Sequence, residues 1–434
     1  MLSHFTARGF RNLQPLDLEP AAGTHLLLGG NGAGKTSLLE AIYVLATTRS
    51  FRAGQIVDCV AHGAGELALW GEVETDHRAA LAVSVQEGVR QRSVNGKPTS
   101  LADHLAVLPV VAWAAVEIGV LVGAPGARRR FMDRGVVATR PAALEALGRY
   151  REALRQKREL LAHDGAGIEI WNELLAATAA EVIRLRAAYV EALRVELAAV
   201  LAEVGEVREI SAAAAAVAAN PPPTAGAPAS GLSATEVLFG VGGSGSSGSS
   251  GGSGRSGGAA GAGVAAAGGA AESAPSAEHA GLRLAEIELR YQPSPPQGLE
   301  GPAAIAAVLD RAIERERRRQ QPLLGPQRDE LEILWGGHEL RRVASAGERK
   351  ALSLLLLAAH GRVIEAAGRR PVYLLDDADA ELAPASVAAV WSVFARRVAA
   401  TGGQLFASSN RPQVWLTLDV DTLWEMEKGR LAPL

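Results

Sequence analysis

A glycine-rich segment near the start of the chain constrains the fold more than any other feature of its 434 residues. Residues 29–36 read Gly-Gly-Asn-Gly-Ala-Gly-Lys-Thr, which matches the pattern G-x4-G-K-[S/T]. An apolar run, residues 25–28, precedes the segment, and a helical pattern, residues 37–42, follows it. A strand, a glycine loop and a helix in this order form a P-loop, where backbone N–H groups and the positive end of the helix dipole hold phosphate oxygens. The segment therefore predicts an α/β fold that binds a nucleoside triphosphate.

The P-loop pattern also assigns a role to its last two side chains. Lys35 is expected to reach the β- and γ-phosphates, and the hydroxyl of Thr36 is expected to bind Mg²⁺. The glycines allow the backbone to approach the phosphates closely. The predicted nucleotide contacts in this segment are Gly29, Gly30, Asn31, Gly32, Ala33, Gly34, Lys35, Thr36 and Ser37.

A second signal lies in the C-terminal part of the chain, at residues 371–377, Pro-Val-Tyr-Leu-Leu-Asp-Asp. Two acids after an apolar strand are by themselves more often a turn or a helix cap. Because the chain already carries a P-loop, the hypothesis of a Walker B element is stronger. Asp376 is then expected to hold Mg²⁺ through water, together with Thr36, and Asp377 to orient the attacking water.

A third signal is the segment Ala-Ser-Ala-Gly-Glu-Arg-Lys at residues 344–350, which a helical run follows. Ser and Gly at a helix start are ordinarily only an N-cap. Ser345 nevertheless lies 31 residues before Asp376. This spacing is typical of ABC and SMC ATPases, in which the loop closes on the nucleotide of a second subunit. Ser345 and Gly347 are thus predicted to contact a partner's nucleotide, and the predicted catalytic set is Lys35, Asp376, Asp377 and Ser345.

Residues 212–280 differ in composition from the rest of the chain, because 54 of these 69 residues are Ala, Gly, Ser or Pro. Such a segment has too few large apolar side chains to offset the entropy cost of ordering, so we expect a disordered loop. Before it, apolar residues recur at helical spacing over 144–161 and 171–204. Strand patterns lie towards both chain ends. The predicted organisation is an ATPase head built from residues 1–125 and 322–434, with a helical lobe, residues 126–321, inserted between them.

Several segments of the chain resemble the RecF family of SMC-like ATPases. Phe-Arg-Asn-Leu at 10–13 is similar to the opening F-R-N-[Y/L] of that family, and residues 123–133 are similar to its G-x-P-x-x-R-R-x-F-L-D. Gly-Pro-Gln-Arg-Asp-Glu at 325–330 is similar to G-P-H-R-D-D. The resemblance covers nearly all of the chain outside 212–280. It implies an ABC/SMC-type head, with Arg11 and Asn12 also at the nucleotide.

The same resemblance implies a function and a set of partners. It implies that ATP and Mg²⁺ drive homodimerisation on single-stranded, double-stranded or gapped DNA, with slow DNA-dependent ATP hydrolysis. It further implies a role in DNA replication, recombination and repair and in SOS induction. In that role the protein helps to load the recombinase, with RecR and RecO as partners.

The chain departs from the family pattern at positions that bear on hydrolysis. The S-E-L-D of the family after Walker B is here residues 380–383, Ala-Glu-Leu-Ala, and its G-P-H carries Gln327 in place of His. The resemblance implies that these changes leave nucleotide binding intact, whereas the rate of hydrolysis and the coupling between sites stay open. Two alternatives therefore stay open: an ATP-binding switch with negligible hydrolysis, and an ABC-type ATPase subunit of another complex.

The case for DNA binding rests on local charge, because the formal net charge of the whole chain is only -3. Residues 128–158 contain nine arginines and one lysine against three acids, and residues 311–319 add five arginines. Basic helices suit contacts with the phosphate backbone, although paired charges on a solvated helix face are an alternative. The candidate DNA contacts are Arg128, Arg129, Arg151, Arg155 and Arg158.

The remaining composition excludes several other classes of protein. A single cysteine, Cys59, allows neither an intrachain disulfide nor a zinc site built on thiolates. The long neutral runs are Ala, Gly and Ser rather than large apolar residues, so no membrane span is expected. Residues 1–8 lack an export pattern, and we expect a cytoplasmic protein with no membrane partner.

Overall fold

The computed structural model describes residues 1–75, 77–114, 119–163, 167–218, 286–295, 298 and 301–434, and of residues 206–218 only the backbone. Most of the predicted disordered loop, from residue 219 onwards, lies outside the described residues. Its first seven residues, 212–218, instead continue a helix. The alanine run 212–216 explains this difference, since alanine has the highest helix propensity of all residues.

The described strands and helices are numbered in chain order. The strands are β1 Leu2–Arg8, β2 Leu16–Leu18, β3 Gly23–Leu28, β4 Glu66–Glu74, β5 Arg78–Gln86, β6 Val89–Val94, β7 Lys97–Pro98, β8 Val110–Trp113, β9 Ile287–Gln292, β10 Glu330–Trp335, β11 His338–Glu339, β12 Val372–Leu375, β13 Gln404–Ser409, β14 Thr422–Glu427 and β15 Arg430–Pro433. The helices are α1 Lys35–Thr47, α2 Leu101–Val107, α3 Gly119–Val122, α4 Pro125–Thr139, α5 Ala143–Ala162, α6 Ile168–Ala218, α7 Gly301–Arg319, α8 Leu340–Val343, α9 Ala346–Ala366, α10 Pro384–Thr401 and α11 Pro412–Trp415.

Both ends of the chain contribute to one sheet, of order β15-β14-β3-β13-β12-β8. Strands β8, β12, β13, β3 and β14 run parallel, and β15 pairs antiparallel with β14 at the edge. Every residue of β12 and β13 is buried, which is why these strands have continuous apolar runs rather than alternating patterns. β3, which leads into the glycine loop, lies between β13 and β14, and the predicted α/β head from both chain ends is confirmed.

A second sheet, of order β2-β1-β4-β5-β6-β7, is built from the N-terminal part alone. Its neighbouring strands are antiparallel, and along β4 and β5 buried residues alternate with half-exposed or exposed ones. Leu38 and Ile42 of α1 share a buried cluster with Leu69 and Leu81 of this sheet. The P-loop helix is thereby fixed between the second sheet and the parallel sheet.

The middle of the chain forms the helical lobe, in which α5, α6 and α7 pack against one another. Their contact is a cluster of buried apolar side chains that includes Leu147, Leu175 and Leu309. α6 has 51 residues and is therefore about 75 Å long, which allows it to continue out of the lobe. Its later residues, such as Leu197, share a cluster with residues of α9 and α10 in the head.

An arginine in the middle of α6 joins the lobe to the head. The guanidinium of Arg186 lies 2.8 Å from Asp133 Oδ1 in α4 and 2.8 Å from Asp329 Oδ2, and it donates to the carbonyl oxygen of Pro326 at 2.6 Å. Tyr291 of β9 donates its hydroxyl to the same Asp329 carboxylate. Two of the motifs that resemble the RecF family therefore meet at one buried cation.

Within the described residues, no helix combines the length and the apolar character needed to cross a bilayer.

Candidate nucleotide site

The glycine loop connects the end of β3 to the start of α1. Gly32 and Gly34 have φ angles of 76° and 117°, in the region that only glycine adopts readily. Gly29, with φ of 153°, also has no room for a side chain, because a Cβ there would lie 2.3 Å from the carbonyl oxygen of Met426 in β14. The loop is thus shaped both by its own backbone and by the C-terminal hairpin beside it.

The side chain of Lys35 folds back over this loop. Its Nζ donates to the carbonyl oxygens of Gly29 at 2.7 Å and Gly30 at 3.0 Å. Lys35 is only 6% exposed, so its ammonium is held at the loop rather than in bulk solvent. This is the position from which it can exchange carbonyl partners for phosphate oxygens.

The two predicted Mg²⁺ ligands lie together although they are far apart in sequence. Thr36 Oγ1 donates to Asp376 Oδ1 at 2.8 Å. Ser408 Oγ, in the neighbouring strand β13, donates to the same oxygen at 2.9 Å. Ser408 was missed by the sequence analysis. The available signal was that 404–408 reads as a buried parallel strand, whose carboxyl end must lie beside that of the Walker B strand.

Asp377 lies at the rim of the same cleft and has an unusual environment. Its pKa is raised above the ordinary value, first by burial and then by the negative charge of Asp376, against the opposing effect of Lys35. Its Oδ1 is buried and has no hydrogen-bond partner among the described residues. Its backbone is left-handed, with φ of 48°, and its N–H donates to Ser408 Oγ at 3.0 Å. A carboxylate of this kind is a suitable acceptor for the proton of a water molecule.

Asn12 and Arg11 have different neighbours although they are adjacent. Asn12 binds the glycine loop, since its Nδ2 donates to Gly32 O at 2.9 Å and its Oδ1 accepts from Ser37 Oγ at 2.7 Å. Arg11 Nη2 instead donates to Glu40 Oε1 in α1 at 2.8 Å, and Glu40 is fully buried. Asn12 therefore shapes the loop directly, whereas Arg11 lines the cleft with its guanidinium tied to a carboxylate.

The cleft around these residues measures about 480 Å³. Its lining includes the predicted contacts Asn31, Gly32, Ala33, Gly34, Lys35, Thr36 and Ser37, and also Arg52, Asp58 and His62, which the sequence analysis missed. Arg52 belongs to a segment, residues 49–52, that could have indicated it, because it continues directly from the P-loop helix.

Cys59 lies beneath the cleft, where its Sγ is 3.6 Å from Glu40 Oε1. Burial and the neighbouring carboxylate raise the pKa of this thiol to about 11. The group is therefore a neutral, buried thiol at physiological pH and not a nucleophile.

Ser345 and Gly347, which were predicted to contact a partner's nucleotide, are not at this cleft. Ser345 is the N-cap of α9, where its Oγ accepts from the Glu348 N–H at 3.3 Å and its own N–H donates to Glu348 Oε2 at 2.6 Å. Ser345 is exposed, and a Cβ on Gly347 would meet open space. Neither residue is among those that line the cleft of its own chain.

A buried lysine, which no sequence pattern singled out, links α9 to the loop after Walker B. Lys350 Nζ donates to the carbonyl oxygen of Asp377 at 3.1 Å and to that of Ala380, and it lies 4.9 Å from the centre of the Trp113 ring. Burial lowers the pKa of Lys350, against the raising effect of nearby acids that include Glu381. The loop that carries Asp377 is thus attached to the helix that begins after Ser345.

The structure places most of the candidate DNA contacts in ion pairs or hydrogen bonds. Arg128 is 9% exposed and pairs with Glu330, and Arg129 Nη1 donates to the carbonyl oxygen of Asp329 at 2.9 Å. Both side chains therefore join α4 to the start of β10, and their assignment as DNA contacts stays a prediction. Arg151 and Arg155 are exposed but pair with acids, whereas Arg158 is exposed and has no acidic partner among the described residues.

The described residues contain no cluster of three His, Cys, Asp or Glu side chains that would hold a metal ion by itself. The Thr36 hydroxyl and the Asp376 carboxylate nevertheless fit Mg²⁺. They are hard oxygen ligands that lie within 2.8 Å of each other, and Mg²⁺ in nucleotide sites takes few protein ligands beside phosphate and water.

Comparison with known proteins agrees with this architecture. The model of the RecF/RecN/SMC N terminal domain matches residues 1–428. The DNA replication and repair protein RecF of Frankia alni is 30% identical over 404 residues, which cover 88% of this chain and 87% of that protein. RecF of Geobacter sp. strain M21 is 39% identical over a shorter alignment of 186 residues, 42% of this chain and about half of that protein.

A solved structure of the recombination mediator protein RecF with ATP, from the RecFOR pathway, has the same fold. Its TM-score is 0.73 at 20% identity, and the match covers 100% of this chain and 97% of that one. The chain therefore belongs to the RecF/RecN/SMC family and, within it, to the RecF proteins.

Proposed function

We propose that the protein is an ATP-dependent DNA-binding protein of recombinational repair and replication. The observation that carries the proposal is the contact between Thr36 and Asp376, which brings a P-loop hydroxyl and a Walker B carboxylate into one site from positions 340 residues apart. The names of the relatives, DNA replication and repair protein RecF, support the biological role. The related structure that carries ATP supports ATP as the nucleotide.

ATP binding uses the groups of the glycine loop. The backbone N–H groups of residues 29–36 and the Lys35 ammonium bind the phosphates, and Lys35 gives up its carbonyl partners to do so. Thr36 and, through water, Asp376 would hold Mg²⁺, which would neutralise charge on the phosphates. Asp377 orients the attacking water and takes its proton, and its raised pKa makes it a better proton acceptor than an ordinary carboxylate.

A second copy of the chain completes the site. Ser345 is exposed and Gly347 is half-exposed at the N-terminus of α9, and neither lines the cleft of its own chain. A helix N-terminus is suited to the γ-phosphate of a partner's nucleotide. ATP thus closes two heads into a homodimer on DNA, and hydrolysis reopens them. In this state the protein acts at gapped or single-strand–double-strand junctions with RecR and RecO, where it helps to load the recombinase and supports SOS induction.

One observation favours a second candidate, an ATP-binding switch with negligible hydrolysis. Ala380 and Ala383 have no polar side-chain atoms to offer across a dimer interface. The carbonyl oxygen of Ala380 is already used by Lys350, and Arg411 donates to that of Leu382 at 3.1 Å. Single-turnover hydrolysis distinguishes the two candidates, because a switch closes on DNA with ATP but releases no phosphate within the lifetime of the dimer.

Mixing two inactive variants tests the composite site. Lys35→Met removes a charge that binds phosphate, and Ser345→Arg blocks the surface offered to the partner. Each variant alone should be inactive, because every site of its homodimer lacks one essential group. In a heterodimer, one of the two sites is sound. With random exchange at equal concentrations, ATPase activity should recover to about a quarter of the wild-type value, provided that the sites act independently.

Sedimentation and native mass spectrometry provide the controls for this experiment. About half of the dimers in the mixture should be heterodimers, as random exchange requires. Heterodimers without ATPase activity and without closure on gapped DNA would contradict the placement of Ser345 at a partner's nucleotide. Closure on DNA without turnover would instead support the ATP-binding switch.

A further inference from the structure

One face of α7 carries four arginines and no acid. Because an α-helix turns by about 100° per residue, residues 311, 315, 318 and 319 lie within an arc of about 100°. Asp310, Glu314 and Arg317 lie to one side of this arc, and the buried residues of α7 lie to its other side. We call Arg311, Arg315, Arg318 and Arg319 the α7 arginine stripe, and all four are exposed.

The guanidinium groups of the stripe have no carboxylate partners among the described residues. Arg311 Nε donates to the carbonyl oxygen of Ala307 at 3.1 Å, and Arg318 Nε donates to that of Glu314 at 3.2 Å. These are uncharged contacts with the preceding helical turn, and they leave the Nη groups free. The Glu314 carboxylate, next to Arg315 in sequence, pairs with Arg317 at 3.0 Å and not with the stripe.

The one acid within residues 315–319 does not cancel the charge of the stripe. Glu316 points into the lobe, is fully buried and lies 2.7 Å from Lys157 Nζ of α5, which is equally buried. Because Glu316 is buried and paired with Lys157, its negative charge does not reach the surface that the stripe forms.

The arginines of α5 differ in this respect. Arg149 pairs with Glu145 and Glu181, Arg151 pairs with Asp133, and Arg155 pairs with Glu152 and Glu159. Paired guanidinium groups contribute little net charge to a surface, so α5 offers fewer free cations than its composition implies.

We infer that the α7 arginine stripe binds the phosphate backbone of duplex DNA. Guanidinium groups match phosphate oxygens in geometry as well as in charge. The stripe is about 12 Å long, which corresponds to about three to four base pairs along a duplex. The helix dipole favours cations in the last turn of a helix and would by itself explain arginines there. Arg311 lies two turns earlier, so the dipole does not explain the whole α7 arginine stripe.

This inference rests on the proposed function, because it names the surface by which the protein holds DNA. It locates that surface on the outer face of the lobe. Contacts of this kind position DNA without reading its sequence.

The salt dependence of DNA binding tests the inference. The variant R315Q/R318Q/R319Q of the full chain is compared with R149Q/R194Q/R290Q, which removes the same number of charges from exposed arginines that pair with acids. Affinity for a fluorescent duplex of about 30 base pairs is measured with ATP between about 0.05 and 0.3 M NaCl. The α7 variant should reduce the slope of log K against log[salt] by about 2 to 3 units, and weaken binding at 0.1 M NaCl by on the order of 100-fold. The control variant should change the slope by less than about 1 unit.

A charge-preserving variant separates phosphate binding from damage to the lobe. R315K/R318K/R319K should keep most of the slope, and all variants should melt at the wild-type temperature because the exchanged side chains are exposed. A wild-type slope in the α7 variant, with DNA binding intact, would overturn the inference and leave the proposed function in place. Failure of the wild-type protein to bind duplex DNA in any nucleotide state would instead overturn the proposed function itself.

Discussion

Asp377 combines two features that each cost stability, a buried carboxylate oxygen without a partner and a left-handed backbone. Burial and the charge of Asp376 keep its pKa above the ordinary value of 3.8. A carboxyl group with a raised pKa binds its proton more tightly in the folded state, so its ionised form destabilises the fold. This cost is absent below the unfolded pKa, grows as the pH rises through the raised value and is complete above it.

The exchange Asp377→Asn should therefore stabilise the protein in a pH-dependent way. At neutral pH we expect a rise in Tm on the order of 1–2 °C, because the destabilising charge is gone. Part of this rise is independent of pH, since asparagine tolerates the left-handed backbone well. The difference in Tm between variant and wild type should shrink as the pH falls towards 4. A Tm difference that stays constant between neutral pH and pH 4 would show that the ionised Asp377 carboxylate does not destabilise the fold.

The same variant should bind ATP and persist as a dimer, since only the activation of water is lost.

Among the elements, α6 has the largest structural role, because it belongs to both the lobe and the head. Its Arg186 is 4% exposed and holds two carboxylates that come from α4 and from the segment before β10. Removing one partner of a buried ion pair is costly because the other charge stays buried and uncompensated.

Arg186→Met should lower the free energy of unfolding by about 3–5 kcal/mol, as measured by urea denaturation. Arg194→Met is the matched control on the same helix, since Arg194 pairs with Glu191 at an exposed position. We expect a change of less than about 1 kcal/mol there. Arg186→Lys, which keeps the charge but loses the two-sided geometry, should fall between them. Equal losses at positions 186 and 194 would contradict a structural role of the buried network.

Helices and strands whose apolar residues recur with a regular period were predictable from sequence, and those in which this pattern is broken were not. The helical patterns 144–161 and 171–204 correspond to α5 and α6. β1 was missed, because its pairing with β4 shifts register between Leu2 and His4 and disrupts the alternation of buried residues. Lys350 was missed because α9 is buried almost all round, so no polar face distinguishes a buried lysine from an exposed one.

In the nucleotide site, features within one short segment were predictable from sequence, whereas contacts between distant segments were not. The P-loop was predictable because eight consecutive residues define it. The pairing of Thr36 with Asp376 required the additional knowledge that these motifs meet in ATPases of this class. The ion pair of Arg128 was not predictable because its partner, Glu330, lies 202 residues away, and composition reports charge but not pairing across such a distance.

At the scale of the whole molecule, the chain ends are interleaved rather than adjacent. β3 forms six residue pairs with β13 on one side and four with β14 on the other. The N-terminal part therefore contributes an inner strand to a sheet whose neighbouring strands come from the C-terminal part.

Cutting the chain once should leave the head intact for this reason. A protease recognition sequence placed between residues 242 and 269 would divide the protein into two pieces that share the parallel sheet. After cleavage we expect both pieces to elute together in gel filtration and to bind ATP with unchanged affinity. In denaturant they should separate, which confirms that cleavage was complete. Separate elution in native buffer would show that the shared sheet does not hold the head together.

The position of β3 also orders events during synthesis on the ribosome. The P-loop emerges well before β13 and β14, the strands on either side of β3, because a long stretch of chain separates them. A nascent chain that ends before β13 has no Ser408 to position Asp376 and no β14 hairpin to pack against Gly29. The complete triphosphate site thus arises only after β13 and β14 have been translated, long after its glycine loop.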